Sequence, residues 1–199
     1  MDEAKTIVKE LEDISFYKVG LVLYLIGGKE FIEWLISQDK KVFLDLKLYD
    51  IPATIEKAVK EISKLDIEFL TIYGDKEIIK AAVKSKGDLK LLSLTVLTSR
   101  QENDLVKQRV KDAINYGSDG VISSPNEIET IRELSNDLII VTPGIRRHKD
   151  LQNDHKRSAT PSQAIKKGAD YIVIGRPILE AKDRNKEAKE IITSLKGET

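Results

Sequence analysis

"VFLDLKLYDIPAT", residues 42–54, begins as an apolar strand and then sets charges in its middle. Side chains of an extended strand alternate between its two faces. Val42, Leu44, Leu46 and Leu48 therefore share one apolar face, while Phe43, Asp45 and Lys47 share the other. Two opposite charges are aimed together at one interior. Charges are rarely buried unless paired or put to use, so this face is either a structural ion pair or an active site.

Helix and strand alternate on either side of that segment. Helical periodicity runs over 2–13, 28–38, 53–65, 75–86, 102–116, 126–135, 161–168 and 184–196. Strand-like runs lie between, at 15–20, 42–47, 68–74, 89–97, 119–124, 138–144 and 170–176. Strands separated by helices predict right-handed βαβ units and a parallel sheet. A rough internal repeat supports this: "NYGSDGVIS" and "KKGADYIVIG" each end a helix at a Gly (Gly117, Gly168), turn through an Asp and enter a strand. Gly just past a helix end supplies the left-handed cap.

Seven strands and eight helices, opening on a helix, predict an α/β fold, the (β/α)8 TIM barrel, lacking its first strand in this sequence. A doubly wound sheet is the alternative, but no Gly-rich fingerprint follows an early strand. Polar residues gather at strand C-terminal ends, where barrel active sites sit: Lys18, Asp45, Lys47, Thr98, "TPGIR" and "GR". The whole chain, 1–199, reads as one domain without linkers or low-complexity segments.

Composition excludes several function classes. The 33 basic and 33 acidic residues balance, leaving no electrostatic footprint for nucleic acid or a membrane surface. Absence of cysteine rules out disulfides, thiolate metal sites and cysteine nucleophiles. No apolar run approaches a membrane span, and "MDEAKTIVKELED" has no signal-peptide core, so a cytoplasmic protein is expected.

Two constellations carry chemistry. Asp45, Lys47 and Asp50 form D-x-K-x-x-D at a strand end, and Lys18 in "FYKVG" adds a second cation inside an apolar strand. Interleaved Lys and Asp favour each other's charged forms and can hold a cation beside a reacting carboxylate. Structural alternatives exist: Asp50 capping the following helix with Pro52 in its first turn, Asp45–Lys47 as an interior pair, Lys18 reaching water at the strand end. The second constellation is "VTPGIR" with "VIGR", after the last two strands, where barrels commonly bind phosphate. Gly144 and Gly175 allow close backbone approach, and Arg176 offers a planar fork to phosphate oxygens. The alternative is a Gly turn followed by a surface Arg. Together these point to a phosphorylated small molecule.

"FLDLKLYDIPAT" with "VTPGIR", "ATP" (159–161) and "VIGR" resembles the orotidine 5′-phosphate decarboxylase family over essentially the whole chain from residue 2. The resemblance implies a cofactor-free, metal-free barrel that forms homodimers with active sites near the subunit interface. It implies that Lys47 donates a proton to C6 as carbon dioxide leaves, that Asp45 sits against the departing carboxylate, and that Lys18 hydrogen-bonds within the row. Asp50 and Thr54 would come from the neighbouring subunit, Thr54 to the ribose hydroxyls. Thr98 would meet the pyrimidine. Pro143 would line the substrate pocket, and Arg146, Gly175 and Arg176 would lie around the phosphate.

The sequence departs from that family at three places. The family's first strand, carrying a ribose-binding Asp, has no counterpart before the first helix, and an Asp-bearing apolar strand is expected upstream. The family's His-Ala pair is replaced by Tyr73 and Gly74. "NDHKR" puts His155 where relatives place a phosphate-binding Gln; His155 is kept as a phosphate contact, its alternative being a solvated loop residue. Two other functions compete with decarboxylation of the nucleotide. One is a Mg²⁺-dependent sugar-phosphate decarboxylase or aldolase on the same scaffold, disfavoured by I-P-A-T and T-P-G-I-R. The other is a non-catalytic phosphate-binding barrel, disfavoured by the intact Asp45–Lys47–Asp50 set.

Overall fold

A computed structural model of the chain describes residues 1–96, 103–146 and 158–196. Seven strands are all parallel and lie in the sheet in their sequence order: β1 Phe16–Gly20, β2 Lys41–Leu48, β3 Phe69–Tyr73, β4 Lys90–Leu94, β5 Gly120–Ile122, β6 Ile139–Thr142 and β7 Tyr171–Ile172. A doubly wound sheet reverses its strand order partway across. This one never does, so it can only curl in one direction.

The curl brings the two edge strands together. Phe16 of β1 and Tyr171 of β7 meet edge to face, 5.7 Å between ring centroids, and both touch Phe69 of β3 at 5.4 and 5.1 Å. The barrel interior is Phe43, Phe69, Leu92, Leu94, Ile122 and Val141. Among the described residues no strand bridges β1 and β7. The β7 ladder is two residues long and its Tyr171 is exposed, whereas Val141, its register partner on β6, is buried. Among the described residues this is a curled seven-stranded form of the (β/α)8 fold.

Helices cover the outer face: α1 Asp2–Glu10, α2 Leu21–Ser37, α3 Pro52–Ile62, α4 Lys76–Val83, α5 Asn103–Tyr116, α6 Ile128–Leu134, α7 Pro161–Lys166, α8 Arg176–Leu179 and α9 Arg184–Lys196. The alternate residues of β2 behave as the pattern requires. Val42 and Leu44 are buried outward against Phe31, Ile32, Leu35, Ile55 and Val59 of α2 and α3, leaving Phe43 and Asp45 to the interior. The helical ring continues past the sheet's open edge, where α9 pairs with the first helix and the turn after it through Arg184–Glu10 (2.8 Å) and Lys189–Asp13 (3.1 Å).

The internal repeat is real at the level of hydrogen bonds. Gly117 and Gly168 have φ of 81° and 108°. The residues after them donate back to the last helical turn, Ser118 N to Ala113 O at 3.0 Å and Ala169 N to Ala164 O at 3.1 Å, the paired geometry of a left-handed helix stop. Two elements differ from expectation. The helix expected at 28–38 begins at Leu21 and kinks at Gly28. Its first turns escaped periodicity because Leu21, Val22, Leu25 and Ile26 are exposed rather than lying on a buried stripe. A four-residue helix, α8, follows Gly175 and begins at Arg176, the last residue of the strand read at 170–176.

Candidate active site

The decisive geometry lies at the C-terminal end of β2. On a regular strand, residues two apart on one face are about 6.6 Å apart along the strand, within reach of a long side chain. Lys47 Nζ donates to Asp45 Oδ1 at 2.6 Å. The backbone between them is not regular. Leu44 pairs with Leu70 and Leu48 with Ile72, so four steps along β2 match two along β3. The surplus is taken up in an irregular turn in which Lys47 adopts φ of 48°. Such bulges re-aim side chains next to functional sites. Here the lysine reaches from the bulge to the Asp45 carboxylate.

Asp45 is 7% exposed and accepts three side-chain hydrogen bonds. Lys47 Nζ and Thr71 Oγ1 (2.9 Å) both donate to Oδ1, and Lys18 Nζ of β1 donates to Oδ2 at 3.2 Å. Burial pushes the Asp45 carboxyl up. The Lys47 hydrogen bond, the Lys18 and Lys47 charges and the Thr71 hydroxyl outweigh it and hold the group below its usual range. Asp45 is therefore a carboxylate at neutral pH. One carboxylate and two ammonium groups leave the cluster with a net positive charge. Their side chains, 33% exposed for Lys18 and 35% for Lys47, keep it accessible from the barrel mouth. A buried, oriented anion beside an accessible cation can stabilise developing negative charge and deliver a proton to it.

Asp50 lies outside this cluster within the single chain. It is exposed, and its Oδ1 accepts from the Ile51 N–H at 2.7 Å. It is not the helix cap either: Ile51 holds that position, with Pro52 the first residue of α3. Thr54 is also exposed on α3. Around them, Tyr49 and Ile51 are each 67% exposed.

The phosphate-like motifs follow β6 and β7. Pro143 and Gly144 are half-buried, and Ile145 pairs with Ala159, bringing the "ATP" stretch against "TPGIR". Arg146 N donates to Ala159 O at 3.0 Å. Thr160 caps α7 in a reciprocal box with Gln163. Gly175 precedes α8 with open space where a side chain would project, and Arg176 is exposed beside it. Parallel strands end on one face, so these loops and the Asp45 cluster share one rim of the barrel. Thr98 and His155 lie outside the described residues.

Two features escaped sequence reading. Thr71 is fully buried and hydrogen-bonds both Asp45 and Lys47. Its only signal was its place on the inward face of an apolar strand. The Tyr73–Gly74 departure is a packing unit. The Arg109 guanidinium stacks 4.2 Å from the Tyr73 ring, and its Nη1 donates to Thr95 O at 2.9 Å. Tyr49 packs on the same Tyr73 ring, 4.6 Å between ring centroids. A Cβ at Gly74 would lie 2.2 Å from Leu94 O, so only glycine fits.

The family model described as "Orotidine 5'-phosphate decarboxylase / HUMPS family" matches residues 1–191. Orotidine 5′-phosphate decarboxylase of Nitrobacter winogradskyi is 43% identical over 211 positions, covering 98% of this chain and 88% of the relative. That of Methylococcus capsulatus is 42% identical over 205 positions, covering 95% and 85%. The crystal structure of the Lactobacillus acidophilus enzyme superposes with a TM-score of 0.85 at 32% identity, covering 98% of this chain and 93% of that one.

Proposed function

This chain belongs to that orotidine 5′-phosphate decarboxylase / HUMPS family, and on that premise we propose that it decarboxylates orotidine 5′-phosphate to UMP and carbon dioxide, the closing step of pyrimidine nucleotide synthesis. The observation that carries the reading is the 2.6 Å contact between Lys47 Nζ and buried Asp45, at a strand end that opens on the barrel mouth. As the bond from C6 to the carboxylate breaks, its electron pair stays on C6 and Lys47 supplies the proton; the neutral lysine is then reprotonated from solvent. Asp45, held ionised, faces the substrate carboxylate and disfavours the ground state. The Lys18 and Lys47 charges favour the carbanion-like transition state. Binding energy from the remote phosphate offsets that ground-state repulsion.

Arg146, Gly175 and Arg176 hold the phosphate in this reading, with His155 as a further donor. Pro143 lines the pocket and Thr98 meets the pyrimidine. The enzyme works as a cytoplasmic homodimer, without metal or cofactor, and each site receives Asp50 and Thr54 from the partner subunit. The exposed Tyr49 and Ile51 flanking Asp50 support an interface there, because a second chain would bury them. The test is consumption of orotidine 5′-phosphate by the purified chain, followed by ultraviolet absorbance with EDTA present. Turnover that survives chelation supports the reading. No turnover, or turnover that requires Mg²⁺, overturns it in favour of a sugar-phosphate enzyme or a binding protein.

A further inference from the structure

Thr71 belongs to neither of the two motif groups, yet two bonds meet on its hydroxyl. Its Oγ1 accepts from the Lys47 N–H at 2.8 Å and donates to Asp45 Oδ1 at 2.9 Å. A hydroxyl can accept and donate at once, and an aliphatic side chain of the same size can do neither. The need for an acceptor comes from the bulge. With Lys47 at φ of 48° and the β2–β3 register shifted, its N–H is directed to the Thr71 side chain instead of a ladder carbonyl. The threonine hydroxyl therefore completes the only part of β2 that departs from a strand.

We infer that Thr71 is a positioning residue for the reaction: its oxygen pins the left-handed turn that swings Lys47 back, and its proton orients the Asp45 carboxylate beneath it. It touches no substrate and acts only through those two groups. The inference rests on the reading of Lys47 as proton donor, and its test separates the two. Asp45 is faced by Lys18 from β1, Lys47 from its own strand and Thr71 from β3. Loss of the Thr71 proton leaves both ammonium charges in place and removes one of three hydrogen bonds that favour the carboxylate.

The experiment compares Thr71→Val, which keeps the shape without the hydroxyl, with Thr71→Ser, which keeps the hydroxyl. A small displacement of a reacting group can lower rate by about 10²-fold. The valine variant should lose kcat to about that extent with KM nearly unchanged, and the serine variant should stay near wild type. In the unliganded protein, carbon NMR titration of the Asp45 carboxyl should move to higher pH in the valine variant only. The inference is overturned if valine leaves both kcat and the titration unchanged, or if serine is impaired as much as valine. Should wild type fail to turn over the nucleotide, the decarboxylase reading falls, while the Asp45 titration still decides the role of Thr71. If the valine variant does not fold, Thr71→Ala removes the hydroxyl without adding a methyl group and carries the same two readouts.

Discussion

Lys47→Ala and Lys47→Gly remove the same ammonium group and differ in how they suit the backbone, which makes the pair a test of both chemistry and geometry. Each loses the donor 2.6 Å from Asp45. A positioned general acid contributes about 10²–10⁴-fold to rate, so kcat on orotidine 5′-phosphate should fall at least that far in both. Stability separates them. Lys47 holds φ of 48°, a left-handed conformation that costs a residue bearing Cβ about 1–2 kcal/mol. Glycine adopts it freely but gives back about 0.5–1 kcal/mol through its greater freedom in the unfolded chain. Glycine should come out ahead of alanine by up to about 1.5 kcal/mol, the reverse of their order in an ordinary strand.

Urea unfolding followed by circular dichroism reads that difference as a midpoint shift at constant slope. With slopes of about 1–3 kcal/mol per molar, a gain near 1 kcal/mol moves the midpoint by roughly 0.3–1 M. An alanine variant clearly more stable than the glycine one, as in an ordinary strand, would refute the left-handed turn at Lys47. Either variant keeping more than roughly a tenth of wild-type kcat would refute the proton-donor role, since that loss is under the lower end of a single such effect.

Mixing Asp50→Ala and Lys47→Ala chains should restore appreciable activity, because one site of each heterodimer then carries both lesions and the other none; heterodimers as inactive as their parents would put Asp50 in its own chain's site. Asp45→Asn should flatten the acid limb of stability. The folded Asp45 titrates below its usual range, so its contribution is complete above the unfolded value of about 3.9 and is lost as pH falls through the lower folded value. The variant should be less stable than wild type at neutral pH but lose less between about pH 5 and pH 2 in thermal melts, and parallel losses would sink the assignment. Gly74→Ala should destabilise by about 1–3 kcal/mol, the usual range for overpacking, since its Cβ would overlap Leu94 O at 2.2 Å; an unchanged melting temperature would show that β3 and β4 can part there.

The alternation of helix and strand, the C-caps at Gly117 and Gly168, and the inward placement of Asp45 and Lys47 were legible because each follows from local periodicity. Sequence position alone dictates which face a strand residue takes and which residue can end a helix in the left-handed region. The motif after β6 and the one after β7 were legible for the same reason, since parallel strands deliver their C-terminal loops to one rim. The start of α2 was not. Leu21, Val22, Leu25 and Ile26 are apolar without facing this chain's own core, so no buried stripe marked them.

What the tertiary structure alone decided is how near the charges come and what holds them there. Alternation puts Asp45 and Lys47 on one face and within side-chain reach of each other, but it does not show that they pair or from what backbone. The 2.6 Å contact is made beside a register shift against β3, by a left-handed residue that is not glycine, with a hydroxyl 24 residues farther along the chain taking the displaced N–H. Sheet closure is of the same kind. The order of seven strands is implied by the repeat, while the meeting of Phe16 and Tyr171 across unpaired edges comes from the accumulated twist and curl of the whole sheet. Local pattern determines which groups face the interior; distances between strands depend on pairings whose partners lie far apart in sequence, and only folding brings those together.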